Sequence, residues 1–142
     1  CSSDLMVAEI VAGQKRVWDK ACIPAVCFTD PEIVTCGLSP TEAKAKGIDI
    51  VTSSFPFAAN GRAMTMQAET GFVRVVARKD SGLILGFQST GAGVAELSAS
   101  FATVIEMGAR LDDVGAIIHA HPTLSEAIQE ATLAGLGHAL HI

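Results

Sequence analysis

Two histidines, a proline and a carboxylate fall within Ile118-His119-Ala120-His121-Pro122-Thr123-Leu124-Ser125-Glu126. No other stretch concentrates so much proton-transfer chemistry. Imidazole both takes and gives protons near neutral pH. A histidine used this way needs a fixed tautomer, and a carboxylate on its far nitrogen supplies one. Pro122 breaks regular structure between His121 and Glu126, so the chain can fold back and bring imidazole and carboxylate together. The same residues also fit a plainer role. Thr123-Leu-Ser-Glu126 has the capping-box pattern, with Thr123 as N-cap and Glu126 reaching back to its N–H. His121 alone could be a loop histidine bonded to backbone. Local pattern therefore leaves a helix cap and an acid/base pair side by side.

Other chemistries find less support. His119 and His121 would share one face of an extended strand, as metal ligands can. A third ligand would have to come from afar, and His138 and His141 lie near the C-terminus, where mobility is common. No metal site is expected. Cys22 and Cys27 resemble a redox pair, but in an extended stretch five residues span roughly 16 Å and odd spacing points the side chains to opposite faces. A disulfide needs Cα atoms within about 7 Å. The four cysteines, Cys1, Cys22, Cys27 and Cys36, read as free thiols of a reducing compartment, packed as small hydrophobes. Gly91-Ala92-Gly93-Val94-Ala95-Glu96 begins like a dinucleotide fingerprint, but Glu96 stands where the third glycine is needed. Met64 and Met66 read as packing residues.

The chain has 142 residues, enough for one domain with a real core. Its apolar fraction is 49%, with a mean hydropathy of +0.41, so some apolar surface should be covered by another chain or domain. A formal charge of −5, with no Lys/Arg-rich run, argues against nucleic acid as a partner. No window reaches the roughly eighteen apolar residues of a membrane span, and Cys1-Ser2-Ser3-Asp4 lacks the basic start of a signal peptide. Without an initiator Met, the chain reads as a fragment or a processed piece.

The elements that must position the loop read as α+β, mostly antiparallel sheet flanked by helices. Asp4 to Ala12 suits a helix closed by Gly13. Extended runs are expected over Ile23–Thr29 and Ile33–Gly37, separated by a turn at Asp30-Pro31-Glu32. Ser39, Pro40 and Glu42 start a helix that ends at Gly47. Ile48–Phe57 is a strand, and Ala58–Gln67 is either turn or helical turn. Phe72–Arg78 and Leu83–Ser89 form the clearest hairpin. From Gly93 the period becomes helical, with Val94, Leu97, Phe101, Val104 and Ile105 on one side and Gly108 at the end. Asp112 can cap a short helix through Ile117. Leu124, Ala127, Ile128, Ala131 and Gly135 line one face of a last helix.

His119-Ala-His-Pro-Thr-Leu-Ser-Glu126-Ala resembles the C-terminal signature of the dihydrolipoamide dehydrogenase family, within the class I pyridine nucleotide-disulfide oxidoreductases. Phe28-Thr-Asp-Pro-Glu-Ile-Val34, Phe55-Pro-Phe-Ala-Ala-Asn-Gly-Arg-Ala63, Gly71-Phe-Val-Arg-Val75, Leu83-Ile-Leu-Gly86 and Ala95-Glu-Leu-Ser98 are similar to further family segments in the same order. The resemblance covers about residues 5 to 142. It implies a dimerisation (interface) domain over 22–142, preceded in 1–21 by the last helix and connector of an FAD/NAD domain. It implies that His121 is the acid/base and Glu126 its orienting partner. They would act in trans on a site holding the flavin and redox disulfide of the other subunit. His121 and Pro122 would lie against that partner's FAD, with the His121–Pro122 bond cis. The implied reaction reoxidises dihydrolipoamide through FAD to NAD⁺ in 2-oxo acid dehydrogenase complexes. The implied partners are a second copy of the chain and the subunit-binding domain of the acyltransferase core. The location would be the bacterial cytoplasm, or the mitochondrial matrix in a eukaryote. FAD and NAD belong to the full-length parent. This chain alone is expected to bind no flavin firmly and to catalyse nothing. The alternative is a structural dimerisation module of another disulfide reductase, without a catalytic role.

Overall fold

The computed structural model describes residues 2–15 and 20–141. Cys1 and residues 16–19 of the expected connector lie outside the described residues. The element order is α1 (Ser2–Val11), β1 (Ala25–Cys27), β2 (Glu32–Gly37), α2 (Pro40–Ala45), β3 (Ile50–Pro56), α3 (Gly61–Thr65), β4 (Phe72–Arg78), β5 (Ile84–Gly91), α4 (Ser98–Glu106), α5 (Leu111–Gly115) and α6 (Glu126–Leu136). Short 3-10 turns at Phe57–Ala59 and Val94–Leu97 lead into α3 and α4.

The strands form one sheet in the order β1-β2-β5-β4-β3, and each neighbouring pair is antiparallel. Residues directly opposite one another share a face. One row across the sheet is Val34, Ser89, Val73 and Phe55; the next is Cys36, Phe87, Val75 and Ser53. Most of these side chains are fully buried, because α4 and α6 lie on this face. Phe87 stacks on Phe101 of α4, with ring centroids 4.6 Å apart. On α6, Ala127, Ile128 and Ala131 enter the same core. The Ser53 hydroxyl donates to the Ala131 carbonyl at 2.7 Å, which fixes α6 against β3. Gly135 permits that approach, since a Cβ there would stand 2.9 Å from Ser53 Oγ.

The α+β reading and the elements holding this core are as expected. Ser39 caps α2 in a reciprocal box with Glu42. The Phe72–Arg78 hairpin forms, with a bulge between Val76 and Ala77. Four details differ. The Ile23–Thr29 run shortens to Ala25–Cys27, paired on one side only with β2. Cys27 is therefore exposed rather than packed, while Cys36 on the inner strand is buried. The α5 box is closed by Asp113, which accepts from the Arg110 N–H at 2.8 Å, and not by Asp112. Met64 and Met66 are 47% and 40% exposed, because α3 is a single turn that buries only Ala63.

Candidate functional site

The segment from Ala116 to Ser125 joins α5 to α6 and carries the singled-out residues. Its backbone is tied down from both sides. Gln129 of α6 donates to the carbonyls of Gly115 and Ile117 at 3.1 and 2.8 Å. Asn60 donates through Nδ2 to the Thr123 carbonyl at 3.0 Å while its Oδ1 accepts from the Ala63 N–H at 2.9 Å. One buried amide thus caps α3 and holds the loop, which satisfies both of its ends. The His121–Pro122 peptide is cis, as is Asp30–Pro31. Pro122 and His121 pass over Gly61, where a Cβ would lie 3.7 Å from Pro122 Cβ and 3.9 Å from His121 Cε1.

His121 and Glu126 meet. Nδ1 lies 2.8 Å from Glu126 Oε1, and Glu126 Oε2 accepts from the Thr123 N–H at 2.7 Å. The carboxylate therefore performs half of the expected capping box and the expected histidine contact at once. The other half is missing: α6 begins at Glu126 with Ser125, not Thr123, at its N-cap, and Thr123 Oγ1 donates to the Ala120 carbonyl and contacts Ser125 Oγ instead. Burial alone would oppose ionisation of Glu126. The Thr123 N–H and then the His121 imidazole outweigh it, so its pKa lies below the ordinary carboxyl value. An ionised carboxylate only accepts, so Nδ1 carries the proton of the neutral ring and Nε2 is its basic nitrogen. The His121 side chain is 73% exposed and that of Glu126 only 19%: the anchor is sheltered and the working end is open.

His119 does not join them. Its Nδ1 is engaged by the Ile117 carbonyl at 3.0 Å. Among the described residues no group of three or more His, Cys, Asp or Glu could hold a metal ion. The glycines before α4 form no phosphate cradle, because the Glu32 carboxylate already accepts from the Ala95 N–H at 2.9 Å and Gly91 abuts Phe57.

A cleft of about 290 Å³ opens beside His121, walled by Phe55, Asn60, Met64, Gln129 and the C-terminal Leu140 and His141. Two features of it escaped sequence reasoning. Asn60 read as part of a turn, and nothing local points to Thr123, sixty-three positions away. His141 read as part of a mobile end, yet its Nδ1 lies 2.7 Å from Glu130 Oε1. The available signal was Glu130 at helical spacing from Glu126, which puts both carboxyls on one side of α6.

A family model described as the pyridine nucleotide-disulphide oxidoreductase dimerisation domain matches residues 23–132. A dihydrolipoyl dehydrogenase of Pseudomonas aeruginosa is 62% identical over 137 residues, which cover 96% of this chain and 30% of that protein. One of Halobacterium salinarum is 50% identical over 136 residues, covering 96% and 29%. One of Bacillus subtilis is 40% identical over 137 residues, again covering 96% and 29%. The chain thus spans less than a third of the length of these curated relatives. Among solved structures, LpdA from Mycobacterium tuberculosis matches with a TM-score of 0.83 at 22% identity, over 91% of this chain and 28% of that one. The HOCl-induced flavoprotein disulfide reductase RclA from Escherichia coli matches with a TM-score of 0.82 at 22% identity, over 90% and 30%. These two likenesses establish the fold.

Proposed function

The chain belongs to the dimerisation-domain family of the pyridine nucleotide-disulphide oxidoreductases, and from that premise we propose that it is the interface domain of a dihydrolipoyl dehydrogenase. In this reading residues 22–142 are the interface domain and 1–21 the end of a preceding nucleotide-binding domain. The identity to dihydrolipoyl dehydrogenases along nearly the whole chain supports the choice within the family.

The observation that carries the mechanism is the His121–Glu126 contact through Nδ1, which leaves Nε2 without a hydrogen-bond partner among the described residues. His121 accepts the proton of a dihydrolipoamide thiol at Nε2. Glu126 holds the ring in the required tautomer and faces the imidazolium that forms. The deprotonated thiol attacks a disulfide on the partner subunit. FAD, bound by other parts of the longer protein, supplies the route for the electron pair to NAD⁺. What this chain offers that flavin is the exposed edge of His121 and Pro122. Among the described residues, the glycine-rich turn before α4 is taken up by the Glu32 carboxylate and the Phe57 ring.

The domain pairs with a second copy of itself, and the paired surface receives the subunit-binding domain of an acyltransferase core. Exposed Ile118 (95%), Phe28 (79%) and Met107 (76%) support an extensively covered surface. Free thiols at Cys27 and Cys36 suit a reducing compartment, the bacterial cytoplasm or the mitochondrial matrix.

The test is His121→Gln in the full-length protein. Turnover of dihydrolipoamide with NAD⁺ should fall by about 10²-fold or more, the usual scale for losing an acid/base. Near-normal turnover would leave a purely structural dimerisation module as the better description.

A further inference from the structure

The cleft beside His121 contains a second imidazole–carboxyl pair, and the buried member of it is the one to follow. Glu130 is 5% exposed and follows Glu126 by one turn of α6. Oε1 lies 2.7 Å from His141 Nδ1, and Oε2 accepts from the Leu140 N–H at 3.1 Å. Gly137, at φ +78, ends the helix and turns the chain back toward these contacts. A carboxyl group this buried is costly unless hydrogen-bonded. Both of its oxygens are met by the returning C-terminal segment. Seating that segment and satisfying Glu130 are therefore one event.

The consequence lies in the cleft. Leu140, itself 75% exposed, forms part of its wall together with Phe55, Met64 and His121. We propose that Glu130 is a positioning residue: it anchors the C-terminal segment so that Leu140 supplies an apolar wall for the hydrocarbon chain of the substrate whose thiol proton goes to His121. This rests on the proposed function, with the dihydrolipoamide that reaches His121 lying in this cleft. Glu130 touches no reacting atom and acts through Leu140, so its removal weakens binding of substrate and transition state alike.

The experiment uses the full-length protein with three changes: Glu130→Gln, Leu140→Ala, and a chain ended after Gly137. In Glu130→Gln the one remaining oxygen can accept from the Leu140 N–H, but an amide N–H replaces the oxygen that met His141 Nδ1, so that contact survives only if the ring changes tautomer and the segment seats less firmly. Each change should raise KM for dihydrolipoamide about fivefold and leave kcat within about twofold, the signature of lost uniform binding. Glu130→Gln on top of the truncation should add nothing, because both act through the same segment. Hydrogen exchange at the Leu140 amide should quicken at least about tenfold in Glu130→Gln. Truncation and Leu140→Ala leave the α6 core intact, so they decide the matter even if Glu130→Gln folds poorly. An unchanged KM in either, or an additive effect of Glu130→Gln in the truncated chain, overturns the proposal. If the reading of the cleft is what fails, His121→Gln turns over normally while the Leu140 amide still loses protection in Glu130→Gln. If the anchor fails, His121→Gln is crippled while Leu140 exchange and KM stay unchanged in Glu130→Gln.

Discussion

Helix α6 carries two imidazole–carboxyl pairs that look alike and are built in opposite ways. Glu126 meets His121 at 2.8 Å and Glu130 meets His141 at 2.7 Å, both through Nδ1. His121 is set in a loop fixed by Asn60 and Gln129 independently of Glu126. The bonds that tie His141 and Leu140 to the helix end on Glu130 itself. Burial follows the same division: the carboxyl side chain is 19% exposed in the first pair and 6% in the second. In the first pair the acid serves the histidine; in the second, the C-terminal segment serves the acid. Contact distance alone does not say which member of such a pair does the chemistry. What fixes each member independently of the other does.

That division can be broken by experiment. Glu126→Gln keeps an acceptor for Nδ1 but loses the charge facing the imidazolium, so kcat of the full-length protein should fall about tenfold. Glu130→Gln should leave kcat almost untouched, and equal losses in the two variants would erase the distinction. Asn60→Ala removes a helix cap and the tie to Thr123 together. Denaturant unfolding should show a loss of about 1–2 kcal/mol, with turnover reduced because the His121 loop loosens. An unchanged midpoint would mean that the loop is held by other contacts. The smallest effect is on pH dependence. The fold depresses the Glu126 pKa below the ordinary carboxyl value. Its stabilisation is therefore complete above the unfolded-state value and is lost as pH falls through the lower folded one. The stability gap between wild type and Glu126→Gln should be constant near neutrality and close as pH drops below the ordinary carboxyl range. A gap that persists in strong acid would contradict an ionised Glu126.

Much of the scaffold was legible because its signals are local. The Ser39–Glu42 box, the Phe72–Arg78 hairpin and the helical stripe ending in Ile128 and Ala131 each depend on neighbours a few residues apart. The His121–Glu126 contact was legible as one of two alternatives, and the structure shows why the alternatives coexist: two carboxylate oxygens take one partner each. What stayed hidden depends on distant contacts. Nothing near Asn60 announces that it holds the Thr123 carbonyl, and nothing near His141 announces a buried acid eleven positions earlier. Exposure of Cys27 was missed because a strand pattern does not reveal which strand lies at the edge. Met64 and Met66 were misjudged because apolar residue type was taken for burial, whereas a one-turn helix has little inward surface to offer.

In the proposed mechanism His121, and not the similarly paired His141, exchanges the substrate proton. That assignment is tested most directly by measuring kcat for dihydrolipoamide and NAD⁺ in the full-length protein carrying His121→Gln beside the same protein carrying His141→Gln. A fall of about 10²-fold or more is expected in the first and a kcat within about threefold of wild type in the second, where substrate and transition-state binding weaken alike. Comparable losses in both, or none in the first, would contradict it.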